Sequence, residues 1–230
     1  MSGFFALLLS GALLLFGSAQ PPGRSCYFND EEHRVFAGAP KSDGQISLTF
    51  DDGPHEEYTE EILDILKEYH VKATFFIIGE NAQRHPQIVQ RIKREGHCIG
   101  NHTYSHDHIA RQSKETFLQD VRKNQQLLEH YTAECTLFRP PEGVCDEKVL
   151  SVSNDFDYDI ILWTVDTGDW RAPAKEQIVQ TVLDHVKSGD IILMHDYVAG
   201  KSHTPDALRV LLPQLLEQGY TFVTVKDLIA

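Results

Sequence analysis

Basic residues are the scarce class in this chain. Its 230 residues carry 21 Lys and Arg against 34 Asp and Glu, a formal charge of −13 with histidine neutral. A chain so poor in cations has no surface to neutralise phosphates, which excludes nucleic acid as a partner. After the N-terminal segment no hydrophobic run approaches the length of a membrane span. No C-x-x-C spacing occurs among the four cysteines, so a thiolate zinc site is excluded. The H-E-x-x-H signature of zinc proteases is absent as well, because Thr103 stands where its glutamate would be. Low-complexity tracts and internal repeats are missing from the body. What remains, 41% hydrophobic and 24% charged residues, is the composition of an ordinary globular protein.

Residues 1–19 hold no Asp, Glu, Lys or Arg, and Phe4 to Phe16 is almost wholly apolar before Gly17-Ser18-Ala19. This pattern reads as a secretory signal peptide cut after about Ala19. An uncleaved signal anchor holding the protein at a membrane is the alternative. Either way the expected location is extracytoplasmic. Disulfides are permitted there among Cys26, Cys98, Cys135 and Cys145. Cys135 and Cys145 bracket a Pro-rich stretch and are the first pair expected, with free thiols as the alternative.

Residues 20–44, with Pro21, Pro22, Gly23, Gly38, Pro40 and Gly44, read as a linker or irregular lead-in. From residue 45 to 230 short apolar runs alternate with amphipathic ones, which predicts one α/β domain. The strand-like runs are 46–50, 73–78, 98–100, 136–138, 158–163, 191–194 and 220–223. Helical periodicity predicts helices near 58–69, 86–95, 114–131, 146–153, 174–187 and 204–218.

Ionisable groups follow five of these strands directly. They are Asp51 and Asp52, then His102 and His106, then Arg139, then Asp166 and Asp169 with Trp170, then His195 and Asp196. In parallel α/β folds the C-terminal strand edge is where sites assemble. Two imidazoles at i, i+4 plus one carboxylate can form an open metal site. Adjacent Asp51 and Asp52 point in different directions, so one can bind a cation while the other faces the reacting water. Taken singly, each feature has a plainer reading: solvated histidines, an Asp-capped turn, a surface arginine, a core histidine. His108 reads as surface, and Asp196 has no assigned role.

Thr49-Phe-Asp-Asp-Gly-Pro54, His102-Thr-Tyr-Ser-His106, Arg139-Pro-Pro-Glu-Gly143, Asp166-Thr-Gly-Asp-Trp170 and Leu193-Met-His195 occur in that order. Together they resemble the five motifs of the polysaccharide deacetylase family, carbohydrate esterase family 4, over roughly residues 45–229. The resemblance implies a distorted (β/α) barrel, often of seven strands. It implies a divalent metal, zinc first, with cobalt or manganese as alternatives, on Asp52, His102 and His106. It places the catalytic base at Asp51 and the general acid at His195. Arg139 would pair with Asp51, and Asp169 would support His195. Trp170 and Leu193 would wall the acetyl pocket. The Glu142 backbone N–H would hold the oxyanion, with its side chain on the substrate rim. Many relatives have an aromatic residue or Asn at that place.

The implied activity is metal-dependent removal of N-acetyl groups from an acetylated glycan containing N-acetylglucosamine. Peptidoglycan is the first expectation, with no stable protein partner. Chitooligosaccharide deacetylation and O-acetyl xylan esterase activity are the nearest alternatives. A non-catalytic glycan-binding module is the alternative of another class, but it predicts loss of ligands or acid–base groups, and all are present.

Overall fold

The computed structural model describes residues 34–39, 42–132 and 135–230. The signal segment and Cys26 lie outside the described residues. Among the described residues no helix is long and apolar enough to cross a membrane. The elements in chain order are β1 (Val35–Phe36), β2 (Gln45–Asp51), α1 (Tyr58–Glu68), β3 (Thr74–Ile77), α2 (Gly79–Arg84), α3 (Pro86–Arg94), β4 (Cys98–Asn101) and α4 (Lys114–Leu128). After these come β5 (Leu137–Phe138), α5 (Glu147–Phe156), β6 (Asp159–Ile161), β7 (Val165–Asp166), α6 (Lys175–His185), β8 (Ile191–His195), α7 (Thr204–Glu217), β9 (Thr221–Phe222) and α8 (Val225–Leu228).

The sheet runs β1-β6-β5-β4-β3-β2-β8-β7, with β9 paired to the first residues of β2. Every named pairing is parallel. Helices surround it, giving the distorted, incomplete α/β barrel expected. All seven expected strands are present. The two additional ones, β1 and β7, are two residues each, too short for a periodic signal.

The central strand β2 is buried at every position after Gln45, because neighbouring strands and helices cover both its edges and its faces. Along α1 the apolar stripe buries Ile62, Leu63, Ile65 and Leu66, while Glu60 and Glu61 in the first turn complement the helix dipole. These side chains join those of β2, β3, α3 and α7 in the largest core cluster.

One sequence expectation is corrected. Cys145 is disulfide-bonded, but Cys98 and Cys135 are free thiols, so the Cys135–Cys145 pair is not made. Strand β5 and the turn after it lie between the two residues, and nearness in the chain does not make them a pair. Burial pushes the Cys135 thiol up to about 12 and the Cys98 thiol up to about 11, which makes both poor nucleophiles.

Candidate active site

Strand register gathers the chemistry at one edge. Asp51 at the end of β2 lies opposite His195 at the end of β8 and Phe76 of β3. Asn101 ends β4 opposite Phe138, so His102 and Arg139 emerge side by side. Asp166 of β7 faces Leu193 of β8.

Arg139 is fully buried. Its Nη1 donates to Asp51 Oδ1 at 2.8 Å and to Thr49 Oγ1 at 2.7 Å. Its Nε and Nη2 donate to the carbonyls of Ile161 and Leu162 at 3.2 and 3.0 Å. The guanidinium also lies 4.1 Å from the centroid of the Phe76 ring. Burial lowers the Arg139 pKa and the Asp51 carboxylate opposes that. A cation held by four acceptors cannot swing, so it fixes the direction of Asp51.

The donor atoms of Asp52, His102 and His106 all lie within 4.8 Å of one another. Both imidazole Nε2 atoms are 3.3 Å from Asp52 Oδ1. His102 Nδ1 donates to the Arg139 carbonyl at 2.7 Å, which turns the Nε2 lone pair toward Asp52. Asp52 Oδ1 is buried and has no hydrogen-bond partner. Converging lone pairs with an orphaned buried oxygen repel one another unless a cation lies among them, so the donor set fits a divalent metal. Burial disfavours charge on Asp52, but His102, His106 and His195, when protonated, hold its carboxyl down to about 2.

Backbone strain marks the same spot: Asp52, Thr103 and His106 have φ of 76°, 65° and 58°. Local hydrogen bonds maintain it. The Asn81 amide donates to the Asp52 carbonyl at 2.7 Å, and the His106 N–H donates to Thr103 Oγ1 at 3.1 Å.

On the far side of Asp51, His195 Nδ1 donates to Asp169 Oδ1 at 2.8 Å. Asp169 is buried, and its Oδ2 accepts from the His195 N–H and the Thr204 hydroxyl, both at 2.7 Å. Burial opposes a charge on His195, but the Asp169 hydrogen bond and charge raise its pKa to about 9. The imidazole is therefore a proton donor at neutral pH, with Nε2 free for a substrate.

Leu193 is buried one turn of the pleat below His195. Trp170 is 50% exposed at the rim, with the Arg171 guanidinium 4.4 Å from its ring centroid. Glu142 sits at φ 59° and accepts from His108 Nδ1 at 2.6 Å; His108 is an exposed surface residue, as expected. Asp166 Oδ1 accepts from the Gly168 N–H at 2.9 Å, a bond that shapes its loop.

Two positioning elements were not legible beforehand. Asp196 is buried and accepts from the Thr59 hydroxyl at 2.7 Å, and a side chain at Gly53 would stand 2.0 Å from its Oδ2. Asn124, buried in α4, donates from Nδ2 to the carbonyls of Ile77 and Thr103 at 2.8 Å and to Asn101 Oδ1 at 2.9 Å. The available hint for Asn124 is a polar residue on the apolar stripe Phe117, Val121, Leu128.

Residues 38–161 match the family model described as polysaccharide deacetylase. The chain is 41% identical over 192 residues to a peptidoglycan-N-acetylglucosamine deacetylase of Bacillus cereus, covering 83% of this chain and 90% of the relative. It is also similar to the crystal structure of the Bc1960 peptidoglycan N-acetylglucosamine deacetylase, with TM-score 0.82, 38% identity and coverage of 86% and 94%. A family 4 acetyl xylan esterase from Clostridium thermocellum, solved with a cobalt ion, aligns at TM-score 0.74 with 32% identity over 80% of this chain and 89% of that one.

Proposed function

The chain belongs to the polysaccharide deacetylase family, carbohydrate esterase family 4, and on that premise we propose that it is a secreted metal-dependent N-deacetylase of N-acetylglucosamine-containing glycans, acting first on peptidoglycan. The observation that carries this reading is the convergence of the Asp52, His102 and His106 donors beside both a buried Asp51–Arg139 pair and an Asp169-supported His195. The substrate choice is supported by the 41% identical relative and the export by the apolar leader of residues 1–19.

Asp52, His102 and His106 would hold the divalent metal, which when bound polarises the acetyl carbonyl and acidifies water. Zinc suits two imidazoles and one carboxylate, and cobalt or manganese are the alternatives. Asp51 accepts the proton of the attacking water, at a carboxylate whose other oxygen Arg139 holds. The Glu142 N–H donates to the developing oxyanion. His195 then delivers its proton to the departing nitrogen, without which an amine leaves poorly. Leu193 and Trp170 exclude water around the acetyl methyl.

Acetate release from peptidoglycan, chitooligosaccharides and acetylated xylan tests the reading, with chelator and then with zinc, cobalt or manganese restored. Turnover is expected on the N-acetylated glycans, to vanish with chelator and to return with metal. Asp51→Asn is expected to retain bound metal yet lose at least about 10²-fold in turnover. Activity confined to xylan overturns the substrate choice, and activity indifferent to chelation overturns the mechanism.

A further inference from the structure

Among the described residues three large hydrophobic side chains stand well exposed: Trp170 at 50%, Tyr197 at 42% and Leu216 at 39%. Leu216 lies at the end of α7, one scattered apolar residue of the usual kind. Trp170 follows Asp169 immediately, and Tyr197 lies two residues after His195. Burial alternates through this segment: His195 is half-buried, Asp196 buried, Tyr197 exposed and Val198 buried. His195 and Tyr197 are thus the more open residues of this segment, and Asp196 and Val198 the buried ones.

Tyr197 does not stand alone. The His55 ring lies 5.6 Å from it, centroid to centroid, and His55 stacks on Tyr58 at 4.8 Å. His55 Nδ1 accepts the N–H groups of Glu57 and Tyr58, both at 3.2 Å, which locks its ring. The Tyr58 hydroxyl donates to the Gly200 carbonyl at 3.4 Å, tying the loop after β2 to the loop after β8. A layer of three rings thus lies between the segment carrying Asp52 and the segment carrying His195. Exposed Glu56 and Glu57 beside it disfavour an anionic occupant. On the β4–β5 side of the metal-ligand residues the rim is instead the polar His108–Glu142 pair.

We propose that Tyr197, backed by His55 and Tyr58, forms a second sugar subsite that takes the pyranose ring next to the one bearing the reacting acetamide. The proposal rests on the glycan deacetylase reading and deepens it, naming an oligosaccharide rather than a single sugar as the substrate unit. A pyranose presents axial C–H groups on one face and hydroxyls around its edge. A flat ring open on one side takes that face, and its phenol oxygen remains in water. Because the platform is already fixed by ring contacts, binding orders no loose side chain.

The test uses the metal-loaded protein and its Tyr197→Phe and Tyr197→Ala variants. Substrates are N-acetylglucosamine oligomers of one to four units and a small activated acetate ester. On the tetramer Tyr197→Ala is expected to lower kcat/KM by about 10-fold, mainly through KM, with a clearly smaller loss on the ester. Tyr197→Phe should keep most of the wild-type value, and the wild-type gain with chain length should shrink in Tyr197→Ala. Calorimetric titration of the tetramer into wild type and Tyr197→Ala reads the subsite without turnover, and about 10-fold weaker binding is expected. Equal losses on tetramer and ester, or equal tetramer affinity in the two proteins, overturn the subsite. Wild type that binds tetramer through Tyr197 yet releases no acetate would overturn the deacetylase reading and leave the subsite standing.

Discussion

The charge on His195 depends chiefly on Asp169, with Asp51 and Asp52 adding to it. Its pKa stands at about 9 because the Asp169 carboxylate outweighs burial. A base whose pKa is raised on folding contributes stability that is present below about 6.5 and lost as pH rises through about 9. Removing the charge in Asp169→Asn leaves burial opposed only by the more distant Asp51 and Asp52, which lowers the pKa. The alkaline limb of the kcat/KM profile should then move down by at least about one pH unit, as a pH–rate series would read. An unmoved limb would mean that His195 is not the acid. Gly53 shows a different single-residue constraint. Its φ is not in the left-handed region, so flexibility does not explain it. The ideal Cβ would lie 2.0 Å from Asp196 Oδ2, and that close approach is what requires glycine. Gly53→Ala should cost about 2 kcal/mol or more in urea unfolding. Adding Asp196→Ala vacates the space, so the double variant should be more stable than the sum of the singles by over about 1 kcal/mol. Strict additivity would refute the steric account.

At the level of elements, α4 does more than cover the sheet. Its stripe of Phe117, Val121, Asn124 and Leu128 is buried, and the asparagine in that stripe clamps the ends of β3 and β4 to the strained metal loop. Asn124→Leu would satisfy the hydrophobic pattern and remove one of the two donors that the Ile77 and Thr103 carbonyls each have, the His102 and Gly79 N–H groups remaining. We expect a loss of roughly 1–3 kcal/mol in stability and weaker zinc binding by titration, because Thr103 loses one of the bonds that hold it. Unchanged zinc affinity would show that α4 does not position the loop. Sequence periodicity located α1, α3, α4, α5, α6 and α7 within a few residues. It missed α2, of six residues, and α8, of four, because neither completes enough turns to show a repeat.

On the scale of the whole molecule, the ordered motifs signalled both the α/β alternation and the set of residues at the site. The seven expected strands exist, and the groups named from strand ends occupy one edge of the sheet. Cysteine pairing was not legible: four cysteines allow several connectivities, and Cys135, the one that sequence paired with Cys145, is a free thiol. Nor was the ring layer of His55, Tyr58 and Tyr197, whose members come from segments after different strands. Residue order alone settled what lies near in the chain: which segments bury one face or two and which chemistry follows each strand. Those features follow from covalent geometry and repeat with a short period. Folding chose the rest. The Asp51–Arg139 bond spans 88 positions, and the His195–Asp169 bond spans 26. Contacts of that reach depend on strand register and packing, which no local period encodes.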